Sequence, residues 1–501
     1  MGGPAAFGRL IGAGWMLMRN DALMPRELQS LYPPAARTAA SLLHLFAGRQ
    51  ARVGRPGERL ARSLERLGPV AIKLGQLLST RADIIGAEFA EDLSRLKDRL
   101  APFPDETARR EVEAALGRPV ESLFAQFGGA VAGASLAQAH AAVMTDGRHV
   151  AVKVLRPQIG RRVAADAEVL RLAARWVERL APAARRLEPV AFAETVIRAT
   201  ELELDLRLEA AGADELGEIM AKDGYMVAPK VIWDAVGKRV LTTEWAQGQP
   251  LSDPAALEQP GLDRRAAADN LIRAFLAQAL DHGVFHADLH EGNLFLSAPA
   301  RIIAVDFGII GRLGAAERRY LAEILWGFLE RDYVRVARVH FEAGYVPAHH
   351  SVEAFAQALR AVGEPLFGRA ASEVSMGRVL TQLFEITAIY DMRLRPELVL
   401  LQKTMMTVEG VARRICPDHD IWAAADPVVR RWILRELSPQ AQVRRFAGEA
   451  AEALRAIARL AKAPPATAPE PPAPKGLGGL AWFAIGAFTS GAAFVLAAWL
   501  T

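Results

Sequence analysis

The chain has 501 residues, 51% of them hydrophobic and 24% charged, which excludes disorder as its main character and supplies enough for two lobes or two to three domains. Sixty-one basic residues against 57 acidic ones leave a net charge of +4, too even a balance for a dedicated nucleic-acid binder with a concentrated basic face. The single cysteine, Cys416, excludes an intramolecular disulfide framework and any multi-cysteine metal site, and fits a reducing compartment.

In residues 1–50, Phe7, Leu10, Ile11, Trp15 and Met18 follow helical spacing between Arg9 and Arg19. The apolar stretch from Leu10 to Met18 is too short for a signal peptide and holds two glycines. Two readings are open: a helix lying on a membrane surface, or one packed on the protein's own core.

The next informative stretch is Ala132-Gly133-Ala134-Ser135-Leu136-Ala137-Gln138, a run of small residues followed by a turn signal, Asp146-Gly147, and the alternating strand Val150-Ala151-Val152-Lys153-Val154-Leu155. Small residues let a backbone approach a phosphate closely, and a lysine on the next strand can reach that phosphate as a point charge. By itself the strand fits a solvent-facing lysine better. Lysine is rare here, however, with nine in the chain, so one inside a motif carries weight.

A helix is expected over Phe192 to Leu216, carrying Glu201, Glu203, Asp205 and Glu209. At i, i+4 and i+8, Glu201, Asp205 and Glu209 would stack like charges on one face, which calls for facing cations or a metal. Lys153 pairing with Glu209 is one such arrangement, and a solvated face with Arg198 and Arg207 is the other.

The most specific signal is His286-Ala287-Asp288-Leu289-His290-Glu291-Gly292-Asn293, followed by apolar runs and then Asp306-Phe307-Gly308. An Asp, an Asn five positions on, and an Asp-Phe-Gly after an apolar strand make the layout of a protein-kinase catalytic loop. Eighteen residues separate the two aspartates, room for a short hairpin that returns the second to the first. Asn293 and Asp306 offer hard oxygens for Mg²⁺, and Asp288 can orient or deprotonate a nucleophile beside the γ-phosphate of ATP. His286 is expected to brace the loop from the core rather than bind metal with His290. Glu244 falls where a hinge between lobes would lie.

Beyond residue 315 helical periodicity predominates, as in Glu317 to Glu330, Pro396 to Ile415 and Ile421 to Leu437. Residues 461–476 read as a Pro/Ala-rich, semi-rigid linker. Leu477 to Leu500 then runs 24 positions without a charge, a helix of about 36 Å, long enough for a bilayer core of about 30 Å. Trp482 and Trp499 suit the two interfaces, and Lys475, Lys462 and Arg459 place the preceding chain on the cytoplasmic side.

Together these residues resemble the UbiB family of atypical protein-kinase-like proteins, which support ubiquinone biosynthesis. The family's K-x-G-Q signature is matched by Lys73-Leu74-Gly75-Gln76, its E-x-D motif by Glu203-Leu204-Asp205, and its Ala-rich phosphate loop by Ala132 to Ala137. The resemblance covers roughly residues 55 to 315. It implies an α+β, two-lobe kinase-like fold with a helical extension over 51–125, a small lobe over 126–245, a mostly helical large lobe over 246–460 and a transmembrane helix over 477–500. It implies that Lys153 binds phosphate with Glu209 as its partner, that Asp288 holds the catalytic position, and that Asn293 and Asp306 bind Mg²⁺. Ala132, Gly133, Ala134, Ser135, Ala137 and Glu244 would line the nucleotide. Lys73 and Gln76 would project into the site, with Glu203 and Asp205 as their contacts. The implied partners are anionic membrane lipids, prenylated quinone precursors and the biosynthetic enzymes, with no nucleic acid.

Two departures bear on mechanism. Ala287 stands where ordinary kinases carry an Arg, and no A-P-E follows Asp306-Phe307-Gly308 before helical periodicity resumes near Ala315. The expectation is Mg-ATP hydrolysis without phosphorylation of proteins in trans, on the cytoplasmic face of the inner membrane. A lipid or small-molecule kinase and a nucleotide-binding pseudokinase scaffold are the alternatives. A hydroxylase is not supported, because the sequence has no dinucleotide fingerprint and no convincing iron-ligand set.

Overall fold

The computed structural model describes residues 3–22, 25–27, 41, 44–48, 53–79, 85–94, 96, 101–180, 185, 188–364, 386, 389–392 and 396–436. The chain divides into two units, residues 1–435 and 436–501, and apart from the last residue of the final helix all elements below belong to the first. The expected linker and membrane span, 461–476 and 477–500, lie outside the described residues. Among those described, no helix is long and apolar enough to cross a membrane.

The small lobe is an antiparallel sheet in the order β1 (Phe124–Gly133), β2 (Ala137–Met144), β3 (His149–Leu155), β4 (Val240–Glu244). The β2–β3 hairpin turns at Asp146-Gly147 as expected, with Gly147 at φ 87° and Asp146 Oδ1 accepting from the Arg148 amide at 3.0 Å. Val150, Val152 and Val154 are fully buried while Ala151 and Lys153 face the other way, the period-2 alternation of a strand. The valines pack with Phe124 and Phe127 against Ala108 and Val112 of α5 (Asp105–Leu116).

Ahead of this lobe lie α1 (Gly3–Arg19), α2 (Pro56–Leu67), α3 (Pro69–Ser79) and α4 (Ala87–Ser94). Val70, Leu74 and Leu77 of α3 join the small-lobe core with Leu136, Leu155 and Leu241, so the K-x-G-Q helix is built into the lobe. The first helix, α1, packs on its own protein. Phe7 stacks on Trp176 (centroids 6.1 Å) of α6 (Ile159–Leu180), and Arg9 pairs with Asp166. The seam is narrow, since Phe7, Ile11 and Trp15 stay exposed.

The single helix expected over Phe192 to Leu216 is two, α7 (Pro189–Leu202) and α8 (Leu206–Asp223). Asp205 breaks it: at φ −120° its carboxylate caps α8 by accepting from the Arg207 amide, a local bond that competes with helix continuation. The Leu206 amide donates instead to Lys238 O at 3.0 Å. Glu201, Asp205 and Glu209 therefore form no common row.

The large lobe opens with β5 (Gln249–Pro250) and α9 (Arg264–Ala277). β6 (Val284–His286), the hairpin β7 (Leu294–Ser297) and β8 (Arg301–Ala304), and β9 (Ile310–Arg312) follow. Helices α10 (Ala315–Leu329), α11 (Tyr333–Glu342), α12 (Val352–Gly363), α13 (Pro396–Ile415) and α14 (Ile421–Glu436) complete it. The three helices expected from periodicity match α10, α13 and α14 to within two residues.

Candidate functional site

The site forms where β3, α8 and the segment after β8 meet. Lys153 Nζ donates to both carboxylate oxygens of Glu209, at 2.7 and 2.9 Å, and to Asp306 Oδ1 at 3.2 Å. Burial works against the Lys153 charge, but the carboxylates of Asp306 and Glu209 outweigh it and hold the ammonium above its ordinary range. Burial pushes Glu209 up to about 7 against the pull of Lys153, while Lys153 holds Asp306 below the usual carboxylate range. The expected Lys153–Glu209 pair is present, and it extends to Asp306.

The catalytic-type loop is braced by the completely buried His286. Its Nδ1 accepts from the Asp288 amide at 3.1 Å, and its Nε2 lies 3.2 Å from Val305 O. The ring is therefore the neutral Nε2–H tautomer, which burial favours by lowering the imidazole's pKa. His286 thus aims Asp288 from behind, as expected. Asn293 Nδ2 donates to Asp288 O at 3.1 Å and reaches Asp288 Oδ2 at 3.4 Å. The β7–β8 hairpin closes when the Val305 amide donates to Asn293 O at 2.9 Å, which delivers Asp306 to the site. Asp306 sits at φ 62°, a left-handed conformation that a non-glycine residue holds at a cost. With Nδ2 committed, Asn293 keeps its amide oxygen as an acceptor, and the half-exposed Asp306 carboxylate follows Val305, the residue whose amide binds Asn293 O. This hard-oxygen pair fits Mg²⁺.

The small-residue run forms a tight turn between β1 and β2, closed by the Ala134 amide donating to Ala137 O at 2.8 Å. Ala132, Gly133 and Ala134 lie on its open side, whereas Ser135 and Ala137 are buried. Arg156 Nε holds Ala134 O at 3.0 Å. Glu244 ends β4, where the chain leaves the sheet for the large lobe.

From the extension, Lys73 pairs with Glu203. Asp205, expected as a second contact, instead binds Arg207 at 2.6 Å as it caps α8. Gly75 is a close-packing position: a Cβ there would fall 2.3 Å from Leu96 Cδ1 and 2.7 Å from Leu64 Cδ1. The Gln76 side chain is half-buried.

Sequence reasoning missed the contribution of α13. Thr404 Oγ1 donates to Ala287 O at 3.1 Å, Arg414 pairs with Glu291, and Lys403 is half-buried close enough to Asp288 and Lys73 to feel both charges. Periodicity gave the helix but not the loop it touches; the rarity of lysine was the one available signal. Among the described residues His349, His350 and Asp391 also gather, with ligand atoms within 4.8 Å of one another. They lie outside the lysine site's elements, and Asp391 is already paired with His350 at 3.3 Å.

Comparison with known proteins agrees with this geometry. The ABC1 atypical kinase-like domain matches residues 95–340 and the UbiB helical domain matches residues 359–420. The "Probable protein kinase UbiB" of Cellvibrio japonicus is 40% identical over 443 residues, covering 87% of this chain and 79% of the relative. Its namesake from Xylella fastidiosa (strain 9a5c) is 41% identical over 442 residues, covering 86% and 78%. The solved Rv3197–erythromycin complex from Mycobacterium tuberculosis aligns with TM-score 0.51 and 22% identity over 79% of this chain and 98% of that one, a likeness of fold. With a kinase-like site assembled from Lys153, Glu209, Asp288, Asn293 and Asp306, and relatives at 40% identity over most of its length, the chain belongs to the UbiB family of atypical kinases.

Proposed function

We propose that the protein is a membrane-associated Mg-ATP-dependent ATPase that supports ubiquinone biosynthesis by helping prenylated precursors leave the bilayer for the biosynthetic enzymes. The observation that carries the ATP reading is Lys153 bridging Glu209 and Asp306, a cation poised between the helix that positions it and the aspartate that would hold metal. Lys153 would turn to the phosphates as nucleotide enters. Asn293 and Asp306 would hold Mg²⁺, which neutralises phosphate charge when bound. Asp288, fixed by His286 and Asn293, would orient a water toward the γ-phosphorus, giving ADP and inorganic phosphate.

Two features favour water over a protein as acceptor. Only the short β9 separates Gly308 from α10, which leaves little chain to dock a peptide. The extension helix α3 is tied by Lys73 to Glu203 beside Glu209. The membrane reading rests on the uncharged run from Leu477 to Leu500, which would anchor the chain in the inner membrane with its catalytic lobes cytoplasmic, in contact with anionic lipids.

The test follows the γ-phosphate of labelled ATP with the full chain, with and without anionic liposomes, beside Asp306→Asn. Label released as inorganic phosphate, increased by liposomes and lost in the variant, supports the reading. Label retained on a prenylphenol or lipid replaces it with a small-molecule kinase. Nucleotide binding without turnover replaces it with a scaffold.

A further inference from the structure

Three lysines converge on the site from three parts of the chain: Lys153 from the sheet, Lys73 from the extension and Lys403 from α13. The first is matched by Glu209 and Asp306, and the second by Glu203. The ammonium of Lys403 makes no hydrogen bond or ion pair among the described residues, although the side chain is half-buried. The helix that carries it is fixed on the catalytic loop. The adjacent Thr404 donates to Ala287 O, the residue before Asp288, and Arg414 clasps Glu291, three residues after it. Helix α13 thus grips the catalytic loop on both sides of Asp288.

Like charges repel, and the charge of Lys73 works against that of Lys403. Among the described residues Asp288 is the one carboxylate acting on Lys403, and its Oδ2 already lies 3.4 Å from Asn293 Nδ2. A half-buried lysine kept beside a second lysine is costly unless an anion completes the site. Which anion follows from position. Lys153, held by Glu209, lies at the end of the site nearest the small lobe, whereas Lys403 is carried by the helix that holds the loop around Asp288, where the terminal phosphoryl group must sit to react.

We infer that Lys403 binds the terminal phosphoryl group of the nucleotide, so that the UbiB helical domain supplies the cation that distinguishes a triphosphate from a diphosphate. The inference rests on the ATPase reading above and deepens it. A charged contact of this kind is worth about tenfold or more in affinity, and it exists for ATP but not for ADP.

The test measures binding of Mg-ATP and Mg-ADP to the full chain, as wild type, Lys403→Met, Lys403→Gln and Lys403→Arg. The expected result is a loss of about tenfold for ATP in the Met and Gln variants, ADP affinity unchanged within about twofold, and recovery of most of the ATP affinity in the Arg variant. A structural role would weaken both nucleotides together, and that outcome overturns the inference, as does ATP affinity unchanged in the Met and Gln variants. A wild-type chain that binds neither nucleotide overturns the ATPase reading itself and this inference with it. Using two neutral variants guards against one of them failing to fold.

Discussion

Lys73 and Glu203, 130 residues apart in the chain, are joined by an ion pair that ties the extension to the break between α7 and α8. Both side chains are sheltered, 11% and 27% exposed, so the pair escapes much of the screening that makes surface bridges nearly worthless. Lys73→Met and Glu203→Gln should each destabilise the protein, and the double variant should be less damaged than their sum. A coupling of about 1–2 kcal/mol is expected from a charged hydrogen bond in such a setting. Thermal unfolding of the four proteins reads it directly, and additive losses would mean the two groups do not interact.

Gly75 makes that extension possible. A Cβ there would fall on the methyl ends of Leu96 and Leu64 where α3 crosses its neighbours, so a side chain overfills the junction unless they shift. Gly75→Ala should cost about 1–3 kcal/mol by overpacking, and adding Leu96→Ala should recover part of it. Unfolding midpoints decide the matter: an unchanged Gly75→Ala midpoint would show that the helices part freely.

How much of this could be read in the sequence varies with the range of the interaction. The catalytic loop, the β7–β8 hairpin and the β3 lysine were legible because each is a local pattern of residue types, a turn signal or an alternation. The Lys153–Glu209 pair was legible as kinase order. Asp205 was misassigned because its short carboxylate can either lie on a helix face or cap one, and periodicity counts only the first. The grip of α13 on the catalytic loop was not legible: Thr404 and Ala287 are 117 residues apart, and nothing in either segment marks the other. Where α1 lies was open for the same reason, since its partner Trp176 belongs to a distant helix.

His286 gives the site a pH limit. Burial lowers its pKa in the folded protein, whereas the unfolded chain titrates near about 6.5. Its contribution to stability is therefore complete above that value and is lost as pH falls below it, because the unfolded state takes up a proton that the folded state refuses. His286→Gln keeps a side-chain amide to donate to Val305 O but cannot titrate. Denaturant unfolding at pH 5.5 and 7.5 should show a larger acid loss in the wild type than in the variant. Equal losses would assign the acid sensitivity to other groups.

Thr404 tests the link between the helical domain and the catalytic loop. Its buried hydroxyl is shared between Leu400 O at 2.8 Å and Ala287 O at 3.1 Å, so a valine of nearly the same shape leaves the Ala287 carbonyl without that donor. The stability cost should be about 1 kcal/mol. The larger effect should fall on turnover, because Ala287 immediately precedes Asp288 and a small shift there misaims the carboxylate. In steady-state ATP hydrolysis, Thr404→Val should lower kcat several-fold with KM nearly unchanged, and Thr404→Ser, which restores the hydroxyl, should recover most of kcat. A rise in KM with kcat intact would instead place the effect on nucleotide binding, and a serine variant no better than valine would show that the methyl group, not the hydrogen bond, holds the loop.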